Sequence, residues 1–270
     1  MSMDRREFLK IAGISTLLGV GGGVAGVGIR NELQASQIGP GPNALNAGRW
    51  GFVVDMSKFK TQADIDRVTY ACHSIHNVPD FGKDSPHEIK WIWTDTYEHV
   101  FPGSEDEFMP HELKEKSFFA FCNHCAQPAC VRVCPTQATF KRKDGIVMMD
   151  MHRCIGCRFC MAACPFGARS FNFRDPRPNI IKPNPEFPTR GKGVVEKCTG
   201  CYERLAVGQT PACVEQSNGG IVFGDLEDPK SEVRKLIAGN YTIRRKPQLG
   251  TQPSIYYIIR SNETGGTEHA

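Results

Sequence analysis

The sequence predicts an α+β fold, with short strands and few helices joined by long irregular loops around an internal cysteine-rich repeat. Three observations point that way. Several apolar runs have strand length and are bounded by Gly, Pro and Asn. Helical spacing is confined to two stretches. Eight of the 12 cysteines fall within the 43 residues from Cys122 to Cys164. The chain of 270 residues is long enough for one large domain or two small ones.

The elements follow in order. "DRREFLK" precedes 19 uncharged residues, and the pair Arg5 and Arg6 with Phe8, Leu9 and Lys10 behind it resembles a twin-arginine export signal. Seven glycines make that run less apolar than a committed spanning helix, so residues 1–30 are expected to be an export signal or a retained anchor. Residues 31–50 read as a linker rich in Gly, Pro and Asn, residues 51–260 as the folded domain, and residues 261–270 as a solvated tail. Within the domain, "GFVVDMSKF" predicts a strand. "QADIDRVTYACHSIHN" predicts a helix through Ile65, Val68 and Ala71 that ends before Pro79. The alternation in "IKWIWTDTYEHVF" predicts a strand pair, and "FFAF" and "GIVMMD" predict strands on either side of the first complete cysteine motif. "PRPNIIKPNPEFPTRGKG" reads as a proline-rich loop, and "GGIVFGDLEDPKSEVRKLIAGN" as strand, acidic turn and short helix. The formal charge of +4, half of it supplied by residues 1–30, excludes the strong basic face of a nucleic-acid binder.

Cys154, Cys157, Cys160 and Cys164, followed by Pro165, spell C-x2-C-x2-C-x3-C-P. Cys122, Cys125, Cys130 and Cys134, followed by Pro135, repeat it with two residues inserted. This is iron–sulfur spacing. Three close cysteines on a curled loop reach three corners of a cubane, and the fourth points to the neighbouring cluster. Crossing the fourth ligands predicts one [4Fe–4S] site from Cys122, Cys125, Cys130 and Cys164. It predicts a second from Cys154, Cys157, Cys160 and Cys134. A disulfide framework would also use an even number of cysteines, but this density suits metal or clusters better. Zinc on the CxxC pairs is the other rival. Covalent haem is not expected, because no CxxC is followed by His. A third segment, "KCTGCYERLAVGQTPACVEQSNGG", carries Cys198, Cys201 and Cys213 but has Ser217 and Asn218 where the others have Cys-Pro. Its missing ligand has either been lost or comes from elsewhere in the chain.

About residues 50–260 resemble the four-cluster ferredoxin-like subunits of membrane oxidoreductases, such as those of dimethyl sulfoxide, polysulfide and nitrite reductases. The residues that carry the resemblance are "CNHCAQPACVRVCP", "CIGCRFCMAACPFGAR", "KCTGCYERLAVGQTPACVE", "IVFGDLEDPKSEV" and "LGTQPSIYYI". It implies a ferredoxin-like fold, a double bacterial-ferredoxin pseudo-repeat with loop insertions. Family members have four cysteine motifs; the middle two exchange fourth ligands, and so do the first and last. In "VVDMSKFKTQADIDRVTYACHSIHNVP" only the last cysteine of a first motif remains, as Cys72, while the last motif lacks only its final cysteine, at Ser217. These losses are complementary. The resemblance therefore implies that one cluster is deleted and that Cys72 completes a third [4Fe–4S] site with Cys198, Cys201 and Cys213. The alternative leaves Cys72 a buried free thiol beside a [3Fe–4S] cluster.

Within the family the chain looks most like the DsrO-type subunits of the Dsr transmembrane complexes of sulfur-metabolising prokaryotes. The resemblance implies an electron-transfer subunit with three [4Fe–4S] clusters on the periplasmic side of the cytoplasmic membrane. Its implied partners are an integral membrane quinone-interacting subunit and an exported cytochrome or other redox subunit. No catalytic residues are expected: no phosphate-binding glycine loop follows a strand, and no nucleophile–base motif is present. The rival functions are an iron–sulfur enzyme with an open-site cluster, in which Ser217 is a weak ligand, and a zinc-binding adaptor.

Overall fold

The computed structural model describes residues 41–82, 86–104 and 106–260. The expected export signal with Arg5 and Arg6, the first part of the expected linker and the expected tail lie outside the described residues. The strand predicted from "GFVVD" is β1 (Trp50–Asp55), buried along its whole length as an interior strand should be. A single 3-10 turn leads from it to α1 (Gln62–Ile75). Thr61 caps α1 in a capping box: its side chain accepts from the Asp64 amide, and the Asp64 carboxylate accepts from the Thr61 amide. One turn apart on the inner face of α1 lie Val68 and Cys72, the two residues it buries.

The stretch "IKWIWTDTYEHVF" corrects the expected strand pair. Only β2 (Ile92–Thr96) is extended; Tyr97–Val100 turns into the short helix α2, whose Tyr97 and Val100 point into the core. The pairing partner of β2 is β3 (Ser117–Phe121), which follows the short helix α3 (His111–Glu115). Thr96 opposes Ser117 where the ladder ends, and burying Tyr97 and Val100 together favours a helical turn over continued alternation.

The cysteine motifs sit on short pieces. After β3 come α4 (Ala129–Arg132), the hairpin β4 (Thr139–Lys141) and β5 (Val147–Met149), and α5 (Phe159–Ala162). β6 (Ser170–Phe171) pairs with β7 (Val195–Glu196) across the proline-rich loop, which holds only one 3-10 turn. Then follow α6 (Tyr202–Leu205), α7 (Ala212–Glu215), β8 (Ile221–Asp225), α8 (Glu232–Gly239), β9 (Thr242–Ile243) and β10 (Ile255–Ile258).

The largest sheet has the order β8-β1-β10-β9, with β1 antiparallel to β8 and parallel to β10. Phe52, Val54, Val68, Trp91, Phe118 to Phe121 and Tyr257 form the main apolar cluster beneath it. Edge-to-face contacts tie Phe101 to Phe118 and Tyr257 at 5.2 and 5.0 Å, each worth about 1 kcal/mol beyond area burial. Residues 41–49 run along the α6 end of the fold: Gly41 and Leu45 donate to the carbonyls of Ala206 and Leu205. Among the described residues no helix is long and apolar enough to cross a membrane.

Candidate metal centres

One local geometry recurs three times. In the first CxxC loop of each motif the residue before the second cysteine takes a left-handed conformation: His124 (φ 39°), Gly156 (φ 70°) and Gly200 (φ 67°). The third cysteine is then the second residue of a one-turn helix: Cys130 in α4, Cys160 in α5 and Cys213 in α7. Pro128 and Pro211 precede α4 and α7, where a residue without an N–H costs no helical hydrogen bond. The chain closes up at the fourth position in the same way each time. The amides of Cys134, Cys164 and Ser217 donate to the carbonyls of Val131, Met161 and Val214 at 3.3, 3.2 and 3.1 Å. Ser217 thus has the backbone position of a fourth ligand, but its side chain is engaged. Its buried hydroxyl lies 2.7 Å from the Val214 carbonyl and accepts the Ile221 amide at 2.9 Å.

The structure brings cysteines together in three neighbourhoods. Burial and the neighbouring thiols Cys122, Cys130 and Cys164 push the Cys125 thiol up to about 12. Cys134, Cys154, Cys157 and Cys160 line one small crevice with Ala138, Met149 and Val195. Helix α1 delivers Cys72 to the third motif: burial, then the proximity of Cys198, Cys201 and Cys213, raise its thiol well above the ordinary range. Cys198 and Cys213 are likewise pushed up to about 12 by burial first. Cys134 differs. Its modest burial is outweighed by the Thr139 amide, 3.5 Å from Sγ, and by Thr136, which hold it below the usual value. All twelve thiols are free.

The surroundings of the sets fit iron–sulfur clusters. Lys197 is fully buried, and its ammonium donates to the carbonyls of Val147 and Cys198. Arg169 is buried beside Cys130, Cys160 and Cys122, and its Nη2 has no hydrogen-bond partner. Among the described residues neither cation pairs with a carboxylate. A buried cation without a counter-ion is costly, and anionic thiolate sites supply that counter-ion. Side-chain polar atoms of Asn123 and Thr199, inside the first and third CxxC loops, are also buried without partners. At the rim of the third set His76 lies 2.7 Å from the Cys72 carbonyl through Nδ1 and 2.8 Å from Glu203 through Nε2. A groove of about 540 Å³ beside α1 and β2 is lined by none of the cysteines.

Sequence reasoning missed Lys197, Arg169 and the position of His124. A signal for His124 was present: aligning the three CxxC loops sets it opposite Gly156 and Gly200.

Residues 115–176 match the family described as the 4Fe-4S dicluster domain. The chain is 36% identical to the Hdr-like menaquinol oxidoreductase iron–sulfur subunit 1 of Archaeoglobus fulgidus, over 97% of this chain and 100% of that protein. It is 32% identical to the menaquinone reductase iron–sulfur cluster-binding subunit of Nitratidesulfovibrio vulgaris, over 78% of this chain and 89% of that one. A putative dimethyl sulfoxide reductase iron–sulfur subunit of Halobacterium salinarum is 46% identical over 51% of this chain and 53% of its own length.

Proposed function

Because the chain belongs to the family of iron–sulfur subunits of Hdr-like menaquinol oxidoreductases and dimethyl sulfoxide reductase-type complexes, we propose that it is an electron-transfer subunit holding three [4Fe–4S] clusters. The ligand sets are Cys122, Cys125, Cys130 and Cys164; Cys154, Cys157, Cys160 and Cys134; and Cys198, Cys201, Cys213 and Cys72. The single observation that carries the count is the position of Cys72, which α1 holds beside the three cysteines of the incomplete motif. Seen this way, the chain is a double ferredoxin-like pseudo-repeat in which the second half keeps one site of two.

When bound, such clusters supply one-electron transfer, and the chain's own residues bind, insulate and bias them. Burial holds the thiols of Cys72, Cys198 and Cys213 above the ordinary range, so loading the third set releases protons. Burial of Cys72, Cys201 and Cys213 keeps water from the third set. Contacts between sets support a linear order. His124 of the first loop reaches Cys198 of the third set, and Arg169 lies beside Cys130 of the first set and Cys160 of the second. The second set lies at an accessible end, with Cys157 exposed and Ile155 and Phe159 67% and 60% exposed.

Two relatives carry menaquinol or menaquinone in their names, which supports a membrane quinone-interacting subunit as one partner. An exported cytochrome or other redox subunit is the second, and respiration of sulfur compounds the setting. The twin-arginine pattern at Arg5 and Arg6 supports export in folded form to the periplasmic face of the cytoplasmic membrane, with the signal cleaved or kept as an anchor.

Metal analysis tests the reading. Anaerobically purified protein should contain about twelve iron and about twelve acid-labile sulfide per chain, with reduced-cluster EPR signals after dithionite. About eight of each, without a [3Fe–4S] signal, removes the third site. Dominant zinc removes the whole reading.

A further inference from the structure

His124 occupies a backbone conformation that the other two CxxC loops reserve for glycine. Its φ of 39° places it in the left-handed region, where a β-carbon costs free energy, whereas Gly156 and Gly200 carry none. Strain at a side chain that could be absent calls for something the ring does. The ring is buried, 2% exposed. Its Nδ1 accepts the Val147 amide at 3.1 Å, so in the neutral imidazole the proton is on Nε2. Nε2 in turn lies 3.7 Å from Cys198 Sγ, at the range of a hydrogen bond to sulfur. Two further features hold it there. The Ser254 hydroxyl donates to the His124 carbonyl at 3.0 Å. Gly200 packs against the ring: a β-carbon on it would be in ordinary van der Waals contact, 3.4 Å from His124 Cε1 and 3.5 Å from Nε2.

We propose that His124 is a positioning residue linking two cluster sites: flanked in sequence by Cys122 and Cys125 of the first set, it donates its Nε2–H to Cys198 of the third and raises the reduction potential there. This inference rests on the three-cluster reading, because Cys198 matters only if the third set holds a cluster. The physics is simple. Reduction adds negative charge that spreads onto the cysteine sulfurs, and a donor aimed at one of them stabilises the reduced state more than the oxidised one. One hydrogen bond to an anionic acceptor can change an equilibrium about tenfold, which for a one-electron couple is about 59 mV. The contact also shortens the non-bonded gap between the first loop and the third set to a single hydrogen bond.

The test is a potentiometric EPR titration of the full chain with its clusters, comparing wild type with His124→Gly. Glycine permits the same backbone conformation and removes only the ring. The expected result is a third-cluster potential lower by about 59 mV, with the cluster of Cys134, Cys154, Cys157 and Cys160 unmoved. An unchanged third-cluster potential at full iron content overturns the inference. If wild type itself has no third cluster, the three-cluster reading fails first, and iron analysis makes the two failures distinguishable. Should His124→Gly lose iron or fail to fold, the same question is put to wild type. Besides the His76 nitrogen, whose Nδ1 lies 3.7 Å from Cys72 Sγ, protein grown with 15N-histidine should show a second histidine nitrogen coupled to the reduced third cluster by pulsed EPR. Absence of that coupling also overturns the inference.

Discussion

Ser217 shows how one atom decides whether a backbone position becomes a ligand. The amides of Cys134, Cys164 and Ser217 make the same closing hydrogen bond, so the chain presents all three alike. The Ser217 hydroxyl is drawn back to the carbonyl of Val214 and the amide of Ile221. The ring of Phe59 packs over Gly220, where a β-carbon would lie 2.4 Å from it, and meets Phe119 edge-on at 4.9 Å. An apolar filling therefore surrounds the position instead of three further thiols. Ser217→Cys should add no iron, because a fourth ligand alone cannot hold a cubane. Cys72→Ser should have the opposite character. The site loses the thiolate supplied by α1, an oxygen holds the fourth iron poorly, and a [3Fe–4S] signal should appear in the oxidised protein while the first two sites stay unchanged. An unaltered spectrum in Cys72→Ser, together with added iron in Ser217→Cys, would reverse the proposed ligand sets.

Helix α1 is the element on which the proposed third site depends, and a capping box secures its N-terminus. Thr61→Ala removes the capping box and should cost about 1 kcal/mol in denaturant unfolding. Iron loss on dilution should increase with it, since Cys72 lies on this helix. A change in stability below about 0.3 kcal/mol would show that the cap is not limiting. On the same helix His73 has its Nε2 at 3.1 Å from the Ile92 carbonyl, and burial first of all lowers its pKa to about 4. The unfolded imidazole titrates near 6.5, so the stability of the neutral ring is complete above that value and is lost as the pH falls towards 4. His73→Gln should flatten the decline of unfolding free energy between pH 7 and pH 5, by up to about 1.4 kcal/mol per pH unit; equal declines in both proteins would exclude His73 as the source. How much of this was legible beforehand follows from range. The helix through Ile65, Val68 and Ala71 is a local pattern, and so are the three cysteine loops. The parallel pairing of β1 with β10 and the arrival of Cys72 beside Cys198 join distant segments whose register no local period encodes. Cys72 became readable only through the family resemblance. Lys197 and Arg169 stayed hidden because a cation's burial depends on surroundings the local sequence does not display.

At the scale of the whole molecule, the proposed line of cysteine sets has one exposed end and one closed end. Cys72, Cys201 and Cys213 are buried, whereas Cys157 is exposed. The proposed export is tested separately: Lys in place of Arg5 and Arg6 should leave folded, cluster-loaded protein in the cytoplasm, and continued export would remove the twin-arginine assignment. The exposed end makes a different prediction. Ile155 and Phe159, 67% and 60% exposed, flank Cys157, with the Arg158 guanidinium 5.3 Å from the Phe171 ring centre and 5.5 Å from that of Phe173. Two large apolar side chains in water beside a redox site form a surface that a partner's apolar face can cover. Without that partner the isolated chain should self-associate through this end. The association should depend only modestly on salt, because apolar burial drives it. Phe159→Asp replaces about 1.5–3 kcal/mol of available burial with a charge that must be desolvated, so it should weaken self-association at least tenfold. Light scattering across a concentration series reads this directly, with iron content as the control for an intact second site. Association as strong in Phe159→Asp as in wild type, at equal iron, would place the contact elsewhere on the molecule.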